Sequence, residues 1–231
     1  MQIELKKINI AIDGVSGCGK SSTAKEVARR LGFTYLDTGA MYRAVTYGLL
    51  KEKIDYQNKP ALHDFLTSLE IHFTANEQGW TTFLNGKNVE MQIRSLEVSG
   101  KVSEISAIVE VREKLVELQR QSAREGGIVM DGRDIGTVVL PDADLKVFMT
   151  ASPEVRAQRR QKELEENGVN EPFDKILENL LERDQKDSSR EASPLVKAKD
   201  AILIDTSTIS FEVQVKKILD LANEIMNERA I

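Results

Sequence analysis

The sequence predicts an α/β fold on a largely parallel sheet, and three observations predict it. Short apolar runs alternate with longer helical runs over much of the chain. Among the residues that end these apolar runs are the carboxylates Asp13, Asp131 and Asp205, at the strand end where ligands of such sheets gather. The first apolar run breaks into Gly14-Val15-Ser16-Gly17-Cys18-Gly19-Lys20-Ser21 directly before a helical run, Thr23–Leu31. That spacing, in a strand–loop–helix context, is a phosphate-binding P-loop. Its glycines let backbone N–H groups turn inward onto phosphate oxygens, and the helix adds its free N-terminal amides. Lys20 then reaches the β- and γ-phosphates, and the Ser21 hydroxyl ligates Mg²⁺. The nine residues Gly14, Val15, Ser16, Gly17, Cys18, Gly19, Lys20, Ser21 and Ser22 are the candidate nucleoside triphosphate site.

The predicted strands are Ile8–Asp13, Thr34–Asp37, Ile128–Asp131, Leu145–Thr150 and Ala201–Asp205, each short and apolar as strands covered on both faces should be. Helical runs fill the gaps: Gly39–Lys53, Leu62–Leu69, and Glu97–Arg124 as two helices or one bent one. Pro153 opens Glu154–Glu166 at its first turn, and Pro172 opens Phe173–Asp187 in the same way. Phe211–Asn227 closes the chain as an amphipathic helix, with Val213, Ile218, Leu221, Ala222 and Ile225 on the buried stripe. Two segments interrupt the alternation. Glu70–Ile93 has turn signals at Glu77-Gln78-Gly79 and Asn85-Gly86, the second a hairpin signal, and predicts a small antiparallel insertion with Trp80 in its core. Pro153–Pro194 is charged and arginine-rich, as suits a helical lid over a nucleotide.

Composition sets the bounds. The chain has 231 residues, enough for one large domain or one domain with insertions, and a net charge of −5 argues against a general nucleic-acid footprint. Cys18 is the single cysteine, so there is no internal disulfide framework and a reducing cytoplasm fits. No apolar run approaches the roughly 20 residues of a membrane span, and the start, MQIELKK, leads straight into a strand with no signal peptide visible. With no apolar seam left over, the expectation is a monomer with small-molecule partners, without nucleic acid or membrane. His63 and His72 have no partner pattern and read as surface or structural residues; Cys18 reads as a small spacer.

Three further runs bear chemistry. Asp131-Gly132-Arg133-Asp134 puts a cation and two anions at one strand end, either a turn with a surface ion pair or a metal-and-phosphate site in which Asp131 holds Mg²⁺ through water. Asp37 or Thr38 caps the next helix, and Arg43 one turn on is either solvent-facing or a clamp on a second phosphate. Arg156, Arg159 and Arg160 share one helix face, and Arg183, Asp187 and Arg190 another. Such residues form ordinary helix pairs or, in a lid, neutralise charge during phosphoryl transfer.

Together these runs resemble the bacterial cytidylate kinases, the CMP/dCMP kinases of the nucleoside monophosphate kinase group. The matching pieces are Ile12–Ser21, Leu36–Arg43, Val111-Arg112, Asp131–Val139, Glu182–Arg190 and Pro194-Leu195. They span nearly the whole chain in order, and the D-G-R-D-x-G-T and R-D-x-x-D-x-x-R runs are far more specific than the P-loop. The resemblance implies a P-loop NTPase-type, five-stranded parallel sheet flanked by helices, with ATP and Mg²⁺ as cofactors and CMP or dCMP as acceptor. It implies a core of 1–38, 125–152 and 195–231, an acceptor-binding region of 39–124 containing the β insertion 70–93, and a lid of 153–194. It puts cytosine reading on Ser103, Arg112 and Asp134, sugar contacts on Arg183 and Asp187, and the acceptor phosphate beside Arg43, Arg133 and Arg190, with Thr38 and Tyr42 in the same set. Lys20, Arg133, Arg183 and Arg190 become the candidate catalytic residues, and Arg159 a nucleotide-side residue.

Cytosine offers an N4 donor and O2 and N3 acceptors, which an aspartate and an arginine complement. A site of buried, paired polar groups rejects the wrong base by leaving those groups unpaired. Three rivals stand beside this reading: a P-loop kinase for another small acceptor, such as a different nucleotide or shikimate; a non-catalytic nucleotide-binding module, which the arginine lid disfavours; and a GTPase-like switch. The switch needs an Asn-Lys-x-Asp guanine motif, and the nearest string, Lys197-Ala198-Lys199-Asp200, lacks the asparagine.

Overall fold

A computed structural model describes residues 7–76, 79–166 and 168–228. The chain divides into two compact units, one formed by 1–36 with 122–231 and the other by 37–121.

The first unit is built on a five-stranded sheet. Its strands are β1 (Asn9–Gly14), β2 (Thr34–Asp37), β6 (Ile128–Gly132), β7 (Leu145–Thr150) and β8 (Ile202–Asp205), in the order β2-β6-β1-β7-β8. β1 is central and runs parallel to both neighbours, with Ile12 opposite Asp131 of β6 and Val147 of β7. Ile10, Ala11 and Ile12 are fully buried, as continuous apolar strands of a two-faced sheet require. β8 departs from that expectation. Ile202 and Leu203 are exposed and only Ile204 is buried, because an edge strand has a neighbour on one side only.

α1 (Lys20–Leu31) follows β1 and turns Thr23, Ala24, Val27 and Ala28 inward, small residues that let the helix lie close to the sheet. It stops at Gly32 in the left-handed conformation, with Phe33 N–H returning to Ala28 O as in a Schellman cap. α6 (Pro153–Glu166) and α7 (Phe173–Ser188) share a small core of Ala157, Ile176 and Leu180, with Leu164, Phe173 and Leu177 around it. α8 (Phe211–Glu228) buries Gln214, Val215, Ile218, Ala222 and Met226. Val213 is exposed, so the predicted stripe was misphased at its start; Leu221 and Ile225 flank the true one.

Gly14 ends β1 with φ +154, and a Cβ there would stand 2.1 Å from Met149 O in the paired strand. That backbone cannot retreat without breaking the β1–β7 ladder. Gly14→Ala is therefore expected to cost about 3 kcal/mol or more, read as a fall in the urea midpoint; an unchanged midpoint would refute the close approach.

The second unit opens with α2 (Thr38–Lys51) and α3 (Lys59–Thr67). α3 starts three residues earlier than predicted, because Asn58 caps it and Pro60 sits in its first turn. Three strands, β3 (Ile71–Asn76), β4 (Gly79–Leu84) and β5 (Lys87–Asn88), form an antiparallel sheet. Asn85 (φ 46) and Gly86 (φ 74) join Leu84 to Lys87 as a two-residue hairpin loop, as predicted. The other predicted turn falls on Glu77 and Gln78, outside the described residues. Trp80 is half-buried on β4, and His72 is exposed and stacks on Phe83. The long run predicted as one or two helices is two: α4 (Leu96–Ile105) and α5 (Val109–Ser122).

Candidate active site

The loop after β1 folds as a P-loop through alternating backbone handedness. Gly17 (φ 76) and Gly19 (φ 89) are both left-handed, which suits glycine and flips successive peptides. Lys20 folds back over the loop and donates to Val15 O at 3.0 Å. It is only 7% exposed, and burial, with the nearby Arg133 cation, pushes its amine down to about 8. Ser21 Oγ donates to Asp131 Oδ2 at 2.7 Å, and Tyr35 OH donates to Asp131 Oδ1 at 2.7 Å. Asp131 at the end of β6 is thus aimed at the first turn of α1 by a tyrosine from β2. This pair of hard oxygen donors, a hydroxyl beside an oriented carboxylate, fits an Mg²⁺ ion.

Directly after β6 the chain makes a π-helical turn, 135–139, that sequence reading did not foresee. Its first amides are held from β1: Ile135 N–H and Gly136 N–H each donate to Asp13 at 2.8 Å. Burial outweighs those two bonds and raises the Asp13 carboxyl to about 6. Asp134, at the head of the turn, is buried.

The predicted arginines separate into two groups. Arg133 Nε donates to Asp187 Oδ2 at 2.8 Å, and Arg190 reaches the same carboxylate from 3.7 Å. Burial would raise the Asp187 carboxyl, but Arg133, then Arg190 and Arg183, hold it below the usual carboxylate range. The charges of Arg133 and Arg183 also act on Lys20, so these residues form one electrostatic cluster. One edge of it is open: Arg190 Nη2 is buried with no hydrogen-bond partner.

The arginines of α6 do otherwise. Arg156 is buried on Ser16 O (3.0 Å), Ala151 O (3.0 Å) and Asp184 Oδ2 (2.6 Å). Arg159 donates to Cys18 O (3.3 Å) and to Thr206 Oγ1 and O (3.1 and 2.7 Å). Arg160 pairs with Glu163 at the surface. The shared helix face therefore does not act as one cluster.

In the second unit Asp37 caps α2 by accepting from Ala40 N–H at 2.7 Å and holds Arg43 at 3.1 Å. Arg43 Nε is buried without a hydrogen-bond partner. Arg112 is buried, lies over the Tyr42 ring at 5.6 Å and donates to Ser106 O at 3.3 Å. The Ser106 hydroxyl in turn donates to Ser103 O at 3.1 Å, so Ser103, Ser106 and Arg112 gather where α4 gives way to α5. Thr38, at the start of α2, is buried.

A profile of the family described as Cytidylate kinase matches residues 10–224. The chain belongs to the cytidylate kinase family. A cytidylate kinase of Flavobacterium johnsoniae is 50% identical over 227 residues, which cover 96% of this chain and 99% of that one. One of Bacteroides thetaiotaomicron is 48% identical over 229 residues, covering 97% and 100%. Among solved structures, an uncharacterized protein from Eubacterium ventriosum shares the fold at a TM-score of 0.53 and 14% identity, covering 95% of this chain and 99% of that one. No helix among the described residues is long and apolar enough to cross a membrane.

Four residues of this cytidylate kinase-family site escaped sequence reading as site residues: Asp13, Tyr35, Asp184 and Thr206. Asp13 carried a signal as a carboxylate at a strand end, and Asp184 as the aspartate after Arg183 in the R-D-x-x-D-x-x-R run. Tyr35 and Thr206 act on a side chain or a backbone carbonyl across more than 90 residues of sequence, and no local spacing reveals that.

Proposed function

We propose that this protein transfers the γ-phosphate of ATP to CMP or dCMP, giving ADP and CDP or dCDP. The observation that carries the reading is the end of β6. There, within four residues, Asp131 meets the P-loop Ser21, Arg133 meets Asp187, and Asp134 stands buried at the next turn.

Lys20 and the inward-facing amides of the loop Gly14 to Ser22 take the ATP phosphates. Ser21, and Asp131 through water, would hold Mg²⁺, which would neutralise charge on the phosphate oxygens. We assign the acceptor phosphate to Arg43, Arg133 and Arg190, the sugar to Arg183 and Asp187, and the base to Ser103, Arg112 and Asp134. Thr38 and Tyr42 support the acceptor side, Tyr42 as the aromatic face under Arg112. The orphan donors on Arg43 and Arg190 support this assignment, since each lacks the acceptor that a phosphate oxygen supplies. The acceptor phosphate is already ionised near pH 7, so it needs no general base. The residues work by positioning it and by neutralising transferred charge. Residues 153–194 act as the lid that excludes water. We propose that the enzyme works in the cytoplasm as a monomer.

An ADP-release assay with CMP, dCMP, UMP, AMP and shikimate as separate acceptors tests the reading. CMP and dCMP should lead, and Asp134→Ala or Arg112→Ala should lower kcat/KM for CMP by about 10²-fold or more while erasing the preference. Turnover with only another acceptor would overturn the cytosine assignment, and no acceptor-dependent ADP would overturn the kinase.

A further inference from the structure

The outer side of the P-loop is gripped at three places. In a trans peptide the C=O and the N–H point in opposite directions, and no peptide among the described residues is cis. Each grip on one group therefore sets the direction of the other. The Val15–Ser16 peptide turns its carbonyl to Lys20 Nζ (3.0 Å) and its N–H the other way, onto Asp184 Oδ1 (3.3 Å). The Ser16–Gly17 peptide is reversed: its carbonyl accepts from Arg156 at 3.0 Å, which aims Gly17 N–H away from that arginine. The Cys18–Gly19 peptide repeats this: its carbonyl accepts from Thr206 Oγ1 (2.9 Å) and Arg159 (3.3 Å), which aims Gly19 N–H away from them.

The gripping groups are themselves held. Arg156 and Asp184 are 4% and 17% exposed and pair at 2.6 Å, bridging α6 to α7. Thr206 is fully buried at the end of β8, and Arg159 takes both its hydroxyl and its carbonyl. Arg156 also packs against Gly17, where an added Cβ would lie 3.2 Å from its own.

We infer that Arg156 with Asp184, and Arg159 with Thr206, are positioning residues that orient the Gly17 and Gly19 amides of the phosphate loop. They act on the nucleotide through the loop backbone and not by direct contact with phosphate. The inference rests on the reading that this loop takes the ATP phosphates. Oriented amides stabilise phosphate charge without reorganising during the reaction. Two buried ion-paired or hydrogen-bonded groups holding them from outside supply that orientation before ATP arrives.

Thr206→Val removes one grip at nearly constant volume, and Thr206→Ser keeps the hydroxyl. Thr206→Val should raise the Kd for ATP about tenfold, the equivalent of roughly 1.4 kcal/mol. KM for CMP should stay within about twofold, and Thr206→Ser should restore ATP affinity. Asp184→Asn, which keeps the shape but not the charge, should weaken ATP in the same way. A purely structural role would lower Tm and leave the Kd of the folded protein alone, and that result would overturn the inference. A second measurement needs no variant. In amide spectra of the unaltered protein, a saturating non-hydrolysable ATP analogue with Mg²⁺ should move Gly17 and Gly19 N–H well downfield and leave the Asp184-held Ser16 N–H nearly in place. An equal shift at Ser16 would overturn the inference. Failure of the unaltered protein to bind ATP at all would instead overturn the reading beneath it.

Discussion

Lys20→Met is expected to lower kcat/KM by about 10³-fold or more while leaving the fold as stable as before or more so. Activity is lost because the buried amine is the only lysine on the loop, and methionine replaces its chain without its charge. The stability half follows from the pKa. The folded amine sits near 8 and the unfolded one at 10.5. Between those values the unfolded chain holds the proton and the folded chain does not, so stability rises with pH across that window. Below 8 both states are protonated and the folded state carries the full cost of burying the cation, on the order of 3 kcal/mol at neutral pH. Methionine removes that cost and loses one bond to Val15 O, worth about 1 kcal/mol. Tm should hold or rise by a few degrees. The same amine predicts that ATP binding by the unaltered enzyme weakens above pH 8, because the free site must regain a proton to bind. Calorimetric Tm values and ATP titrations at pH 7, 8 and 9 check this. A fall in Tm, or activity within tenfold of the parent, would contradict it.

Asp187→Ala should do the reverse and damage the fold together with the site. Asp187 and Arg133 are 8% and 17% exposed and joined at 2.8 Å, and Arg190 leans on the same carboxylate. Removing one partner of a buried pair leaves a buried charge, at a cost of about 3–5 kcal/mol. Urea unfolding at pH 7 should show that loss, and Asp187→Asn should recover part of it by keeping an oxygen for Arg133 Nε. The carboxyl is held below its usual range in the folded state. Its contribution is therefore complete above the unfolded value, about 4, and is lost as pH falls below it through the folded value. An acid-unfolding curve should shift to higher pH in Asp187→Ala. Equal urea midpoints for Asp187→Ala and the parent would show that the pair carries no net stability.

The frame of the fold was legible because it lies in local patterns. Ile8–Asp13 alternates into glycines, and Asn85-Gly86 dictates its own turn. The site was legible where chemistry sits in one run, as in Gly14–Ser21 and Asp131–Asp134. What escaped has a common physical cause. Val213 was misplaced because several phases of α8 carry enough apolar residues to look amphipathic, and packing selects among them. The exposure of β8 depends on its being last in the strand order, which no single strand encodes. Helical spacing put Arg156, Arg159 and Arg160 on one face. Burial then drew the first two to different loop carbonyls and left the third to Glu163.

Asp13 gives the molecule a common datum. It ends the strand that launches the phosphate loop, and with both oxygens it holds the first amides of the turn that carries Asp134. Phosphoryl transfer is sensitive to sub-ångström separation between donor and acceptor groups. Both parts are referred to one residue of the central strand. The central strand thus works as a gauge block for both, through a carboxylate whose proton affinity burial raises.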